Sequence, residues 1–133
     1  MTTMEQLKIG ESLNEMQLDP VSRMDLIKYS GASGDFNPIH TIDDEAKKAG
    51  LPGIIAHGMW TMGNLAKLFT PYYEGGFIQD YSIRFKGMVF LNDVVTLRAT
   101  LKDVNDNKLR FQVQAVNQNG SEVLKGEVVY SQY

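Results

Sequence analysis

The stretch from His57 to Phe69, HGMWTMGNLAKLF, is apolar round nearly its whole circumference and contains a single charge, Lys67. Met59, Met62, Leu65, Ala66 and Phe69 recur at three- and four-residue spacing, and Ala56, Trp60 and Leu68 spread the apolar surface beyond one stripe. A helix of that kind must be covered on several sides, which few small-domain architectures achieve. The spacing predicts one long helix over 57–69, ended by Pro71. Gly58 and Gly63 would allow close backbone approach at some cost in helicity.

What covers it follows in the sequence. FIQDYSIRFKGMV, DVVTLRATLKDVN, KLRFQVQAVNQ and SEVLKGEVVYSQY each alternate apolar and polar residues. Val95, Leu97, Ala99 and Leu101 oppose Thr96, Arg98, Thr100 and Lys102; Leu109, Phe111, Val113 and Ala115 oppose Arg110, Gln112 and Gln114. Strands apolar on one side only belong to an antiparallel sheet covered on one face. Asp106-Asn107 and Asn119-Gly120 supply hairpin-like turns. The expectation is an α+β fold of one domain over 1–133, a curved antiparallel sheet wrapped round one long helix.

The first half is less regular. Residues 13–18 alternate imperfectly and predict a weak strand. Ser22 reads as an N-cap with Asp25 at the third following position, ahead of an apolar face of Met24, Ile27 and Leu26, in a helix ending near Gly31. A second short helix is expected over Asp43–Ala49, with acids in its first turn, Lys47 and Lys48 at its end and Gly50 as its stop.

Composition narrows the classes. The 133 residues carry 13 basic and 16 acidic side chains, a formal charge of −3 with no basic stripe, so no nucleic-acid partner is expected. The N-terminal residues lack the basic-then-apolar pattern of a signal peptide, and no 18-residue apolar run suggests a membrane partner. The absence of cysteine removes thiolate metal sites and fits a reducing compartment, here a cytoplasmic one.

The chain has two histidines, one in SGDFNPIH (Ser33–His40) and one in IIAHGMW. Asp35 and His40 are too far apart to share an extended or helical face. Asn37 favours a turn and Pro38 fixes φ, so the segment can fold until both side chains meet. A carboxylate and an imidazole on one water can move the protons of a hydration. The residues alone favour a plainer reading, an Asx turn at Asp35 and a surface loop at His40. His57 precedes Gly58 where an apolar segment enters the long helix. Unpaired amides at such a terminus stabilise an anion, and glycine lets an oxygen approach closely. Two histidines and Asp35 could supply metal ligands, but no recognised metal spacing is present, and no metal is expected.

SGDFNPIH followed by IAHGM resembles the MaoC-like family of (R)-specific enoyl-thioester hydratases and 3-hydroxyacyl-acyl-carrier-protein dehydratases, from about Val21 to the last strand. The resemblance implies a hot-dog fold, usually dimeric, and reversible hydration of trans-2-enoyl thioesters to (R)-3-hydroxyacyl thioesters. It implies Asp35 and His40 as the catalytic pair and the Gly58 amide as the oxyanion donor. Beside it, the residues themselves give Pro38 a structural role in the turn and His57 one at the helix entrance, bonding a nearby backbone group, and make Asn37, Ser33, Asn64 and Arg84 candidates for substrate contact. Asn37 is also expected to tie the catalytic turn together. Arg84, sharing a strand face with Lys86, could meet phosphates or simply be solvated. No cofactor is implied beyond the coenzyme A or phosphopantetheine of the substrate. The implied partners are an acyl-CoA or acyl-carrier protein and a second identical or related subunit. Where the family often has Pro and Gly after this strand, the chain has Phe90-Leu91-Asn92. A non-catalytic acyl-thioester-binding subunit is the alternative.

Overall fold

The computed structural model describes residues 3–133. Three helices, α1 (Arg23–Ser33), α2 (Asp43–Lys48) and α3 (Gly58–Leu65), precede most of a five-stranded sheet. Its strands are β1 (Met16–Gln17), β2 (Gly76–Phe85), β3 (Thr96–Asn105), β4 (Lys108–Val116) and β5 (Glu122–Gln132). They lie in the order β1-β3-β4-β5-β2, every pair antiparallel. The register shifts at Ile78/Asp80, Leu101/Asp103 and Ala115/Val116 are irregularities that strengthen twist and bend a sheet, and the sheet curves into a half-barrel.

The expected alternation appears as burial. Val95, Leu97, Ala99 and Leu101 of the β3 segment and Phe111, Val113 and Ala115 of β4 are fully buried. Asp106 takes φ 55° in the two-residue turn from β3 to β4, and Gly120 takes φ 77° in the turn to β5. The weak strand shrinks to Met16–Gln17, but residues 10–18 still run along β3. Leu13 donates its N–H to Ala99 O and Leu18 to Val95 O, at 2.9 Å each.

The long helix does not form. α3 stops after eight residues and continues as a tight 3-10 stretch over Ala66–Tyr72, with Pro71 inside it rather than beyond it. Proline removes a donor and clashes with the carbonyl four residues back, here that of Lys67, so Pro71 disfavours α-helical winding over Lys67–Pro71, within the 3-10 stretch. Nor is this segment covered all round. Thr61, Leu65, Leu68 and Phe69 are buried, while Met59 is exposed and Trp60 and Met62 are half-buried. Phe69 anchors it, edge-on to Phe111 at 5.1 Å and stacked on Tyr130 at 6.5 Å.

α1 begins as expected. Ser22 Oγ accepts from Asp25 N (3.1 Å), and Asp25 Oδ2 accepts from Ser22 N (3.0 Å). It runs on past Gly31 to Ser33, where Gly34 at φ 78° ends it. Its buried positions are Leu26 and Ser30, one turn apart, whereas Met24 and Ile27 face outward. α2 matches its expected span to within one residue.

Candidate active site

The loop from α1 to α2 is built by short polar side chains that cap their own backbone. Ser33 Oγ donates to Tyr29 O (2.7 Å) and accepts from Asp35 N (3.1 Å). Asp35 Oδ1 accepts from Asn37 N (3.2 Å), and Asn37 Oδ1 accepts from Ile39 N (3.2 Å), opening a 3-10 turn over Pro38–His40. These Asx turns with Pro38 bend the chain so that Asp35 and His40 converge. The Asx turn and the pairing, set against each other as readings of the sequence, coexist: Oδ1 makes the turn and Oδ2 faces the imidazole.

His40 Nε2 lies 3.9 Å from Asp35 Oδ2. His40 Nδ1 sits 2.7 Å from Ile55 O. A carbonyl oxygen only accepts, so Nδ1 carries a proton, and in the neutral tautomer that this selects Nε2 presents a lone pair to the carboxylate. The gap suits one oxygen atom about 2.8 Å from each group. His40 is buried; the Asp35 carboxylate is half exposed.

His57 stacks directly on His40, ring centroids 3.8 Å apart and planes inclined by 22°. Its Nε2 lies 3.1 Å from Asp35 O and 3.2 Å from Ser30 Oγ, and Tyr29 packs edge-on at 4.8 Å. Burial pushes the His57 imidazole below the usual histidine range, the Asp35 backbone bond opposing this and the His40 ring adding to it. Gly58 follows as the first residue of α3, and its N–H has no protein acceptor among the described residues. A Cβ on Gly58 would come within 2.7 Å of Phe85 Cε1, so the close approach expected there is to an aromatic ring. Gly63 faces open space and has no such contact. An apolar pocket of about 160 Å³ adjoins Gly58, lined in part by Thr61, Phe85, Met88 and Leu124.

Asp35, His40 and His57 offer ligand atoms within 4.8 Å of one another. Stacked rings set their in-plane lone pairs side by side rather than towards one point, and His40 Nδ1 and His57 Nε2 already face carbonyls. The cluster therefore fits a proton-transfer site better than a metal centre.

The remaining expected residues divide. Asn37 and Pro38 shape the Asp35–His40 turn and Ser33 closes α1 behind it. Asn64 donates from Nδ2 to Trp60 O (2.8 Å) within α3. Arg84 lies apart, on the opposite face of β2 from Phe85 and in register with Lys125. In the loop after β2, Asn92 adopts φ 71°, and Asp93 closes the turn by accepting from Phe90 N (2.8 Å). The turn at residues 90–93 thus forms without Pro or Gly, while Gly87 stands earlier in the same loop. Sequence reasoning missed Ser30, whose one-turn spacing from buried Leu26 was the available signal, and the Ile55 carbonyl, which leaves none.

Residues 5–123 match the family model for the MaoC like domain. The chain belongs to the MaoC-like family. It is 32% identical over 108 residues to the fatty acid synthase beta subunit TOXC of Cochliobolus carbonum, covering 78% of this chain but only 5% of that protein. It is 27% identical over 126 residues to a mitochondrial 3-hydroxyacyl-[acyl-carrier-protein] dehydratase of Arabidopsis thaliana, covering 91% of this chain and 75% of that one. The R-hydratase PhaJ1 of Pseudomonas aeruginosa superposes with a TM-score of 0.88 at 24% identity, over 96% of this chain and 83% of that one. At that identity the likeness establishes the fold, which this MaoC-like chain shares. Among the described residues no helix is long and apolar enough to cross a membrane.

Proposed function

We propose that this MaoC-like chain, one hot-dog domain over 1–133, catalyses reversible hydration of trans-2-enoyl thioesters to (R)-3-hydroxyacyl thioesters of coenzyme A or an acyl-carrier protein. The observation that carries the reading is the 3.9 Å gap between Asp35 Oδ2 and His40 Nε2, two acceptors facing one space beside an unpaired helix-terminal amide. A water there has two O–H bonds and meets two acceptors. One group takes its proton as the oxygen adds to C3. The same pair returns a proton to C2 on the same face, so addition is syn and no proton is consumed. Negative charge passes to the thioester oxygen, where the Gly58 N–H stabilises it. The name of the similar 3-hydroxyacyl-[acyl-carrier-protein] dehydratase supports the substrate class.

The partner in this reading is a second copy or a related subunit. β2 is an edge strand, and an unpaired edge is a template for association. Exposed Phe36, Met59 and Phe85, each adjoining Asp35 or Gly58, give such a partner apolar surface to cover. A cytoplasmic setting belongs to the same proposal and rests on the cysteine-free composition.

The test is crotonyl-CoA with purified protein, following loss of the conjugated thioester absorbance and then the hand of the product. Formation of (R)-3-hydroxybutyryl-CoA is expected. An (S) product overturns the substrate orientation. Inactivity on short and long enoyl thioesters overturns the enzymatic reading in favour of a non-catalytic binding subunit.

A further inference from the structure

We infer that His57 is a positioning residue for Asp35: a neutral imidazole, seated against Ser30, donates its Nε2 proton to the Asp35 backbone carbonyl and so aims the carboxylate at His40. The inference rests on the proposed reading of Asp35 and His40 as the reacting pair.

The tautomer follows from the partners. Asp35 O has only lone pairs to offer, so the Nε2 that lies 3.1 Å from it must carry the proton. Ser30 Oγ, 3.2 Å from the same nitrogen, then acts as a second acceptor. Ser30 and His57 are buried and the bond to Asp35 O is part-buried, so the Nε2 proton is largely sheltered from water.

The other nitrogen shows why a histidine stands here. His57 Nδ1 is buried and has no hydrogen-bond partner among the described residues. In this tautomer it is a bare acceptor, and buried acceptors left unpaired are disfavoured. A phenyl or aliphatic side chain would fill the same space between Tyr29 and His40 without that defect. The imidazole is explained by its other edge, where Nε2 meets the Asp35 carbonyl.

The consequence falls on one residue. Asp35 is held at its backbone oxygen by His57 and at Oδ1 by the Asn37 N–H, leaving Oδ2 to face His40. Remove the His57 bond and the carboxylate loses one of its two anchors, while the Gly58 amide and the apolar pocket stay in place. Charged and titratable groups around the ring are few: Tyr29 from α1, Asp35 from the following loop and His40 from the 3-10 turn.

Two measurements decide it. The first is kinetic, using crotonyl-CoA with His57→Phe and His57→Gln, each in the native and the Asp35→Asn backgrounds. Glutamine can present an N–H near the Nε2 position; phenylalanine fills space only. His57→Phe should lower kcat by about tenfold or more with KM changed by less than about twofold, and His57→Gln should recover most of the loss. In the Asp35→Asn background neither change should lower the residual rate further, because the effect passes through that carboxylate. Equal loss in the Phe and Gln variants, or undiminished loss in the Asp35→Asn background, overturns the inference. The second is a long-range 1H–15N spectrum of the imidazoles in the native protein at neutral pH. The His57 proton is expected on Nε2, and a proton on Nδ1 overturns the inference. The spectrum needs no turnover, so an inactive native protein defeats the proposed reaction while the tautomer is still decided.

Discussion

His40 and His57, the only two histidines, lie ring on ring at 3.8 Å, yet their polar edges serve different partners. His40 fixes itself to the Ile55 carbonyl and turns Nε2 towards Asp35 Oδ2; His57 faces the Asp35 backbone. In the proposed mechanism one ring reacts and the other holds.

Asp35→Asn and His40→Ala should each lower turnover by at least about a hundredfold, since each removes one of two groups acting on a single water. The double variant should lose less than the product of the two losses. His40→Asn, which keeps a donor within reach of Ile55 O, should be as inactive as His40→Ala if the Nε2 lone pair is what matters. Steady-state rates on crotonyl-CoA for the four proteins check this.

Gly58→Val should lower kcat by about a hundred- to a thousandfold by obstructing the thioester oxygen at the helix terminus. Because the new Cβ would also press on Phe85, the companion is Gly58→Val with Phe85→Ala. Failure of that second change to restore turnover is expected. Full recovery would trace the loss to the aromatic ring, and near-native turnover of a folded Gly58→Val protein would remove the oxyanion role.

Acid should destabilise the fold through His57. Its folded-state pKa lies below the ordinary value of 6.5, so the unfolded chain binds the proton first as pH falls. The contribution is complete above about pH 6.5 and declines as pH drops from there towards the folded-state pKa. Urea midpoints measured between pH 7.5 and 5 should fall less steeply for His57→Gln, which has no group to protonate. Equal slopes would assign the acid sensitivity elsewhere.

Gly126→Ala should destabilise the sheet by about 3 kcal/mol or more, at the upper end of overpacking costs. The added Cβ would lie 1.9 Å from Ser82 O and 2.8 Å from Ile83 Cα, so the β2 backbone itself would have to move. Gly63→Ala is the control, because its Cβ meets nothing within 4 Å; it should be neutral or slightly stabilising. Chemical denaturation of both proteins checks the pair.

The sheet was legible because alternation in β3 and β4 maps directly onto burial. A one-residue error would turn every apolar side chain outward. The Ser22–Asp25 cap was legible because both halves of the motif are local. The long helix was not, since periodicity weighs apolarity without asking how tightly a segment winds. The outward-facing Met24 and Ile27 were misread for a related reason. Apolar residues near the right spacing look buried in a sequence, whether they meet this chain's core or a surface beyond it. Within the proposed site, the convergence of Asp35 and His40 and the place of Gly58 at the start of a helix were readable from their motifs. Ser30 and the Ile55 carbonyl were not, because one is a serine among serines and the other is backbone.

The α1-to-α3 connection has a bearing on how this chain tolerates change. Among the described residues, every polar group bonded to or paired with the side chains of Asp35, His40 and His57 comes from the uninterrupted stretch Tyr29–Gly58, while most of the buried apolar residues lie further along the chain, those of β3, β4 and β5 foremost. Chemistry and stability are therefore written in separable passages of one text. A substitution can silence the first and leave the second intact, producing a well-folded protein with nothing to do. The converse damage, in β4 or β5, would scatter an active site whose own residues were all still present.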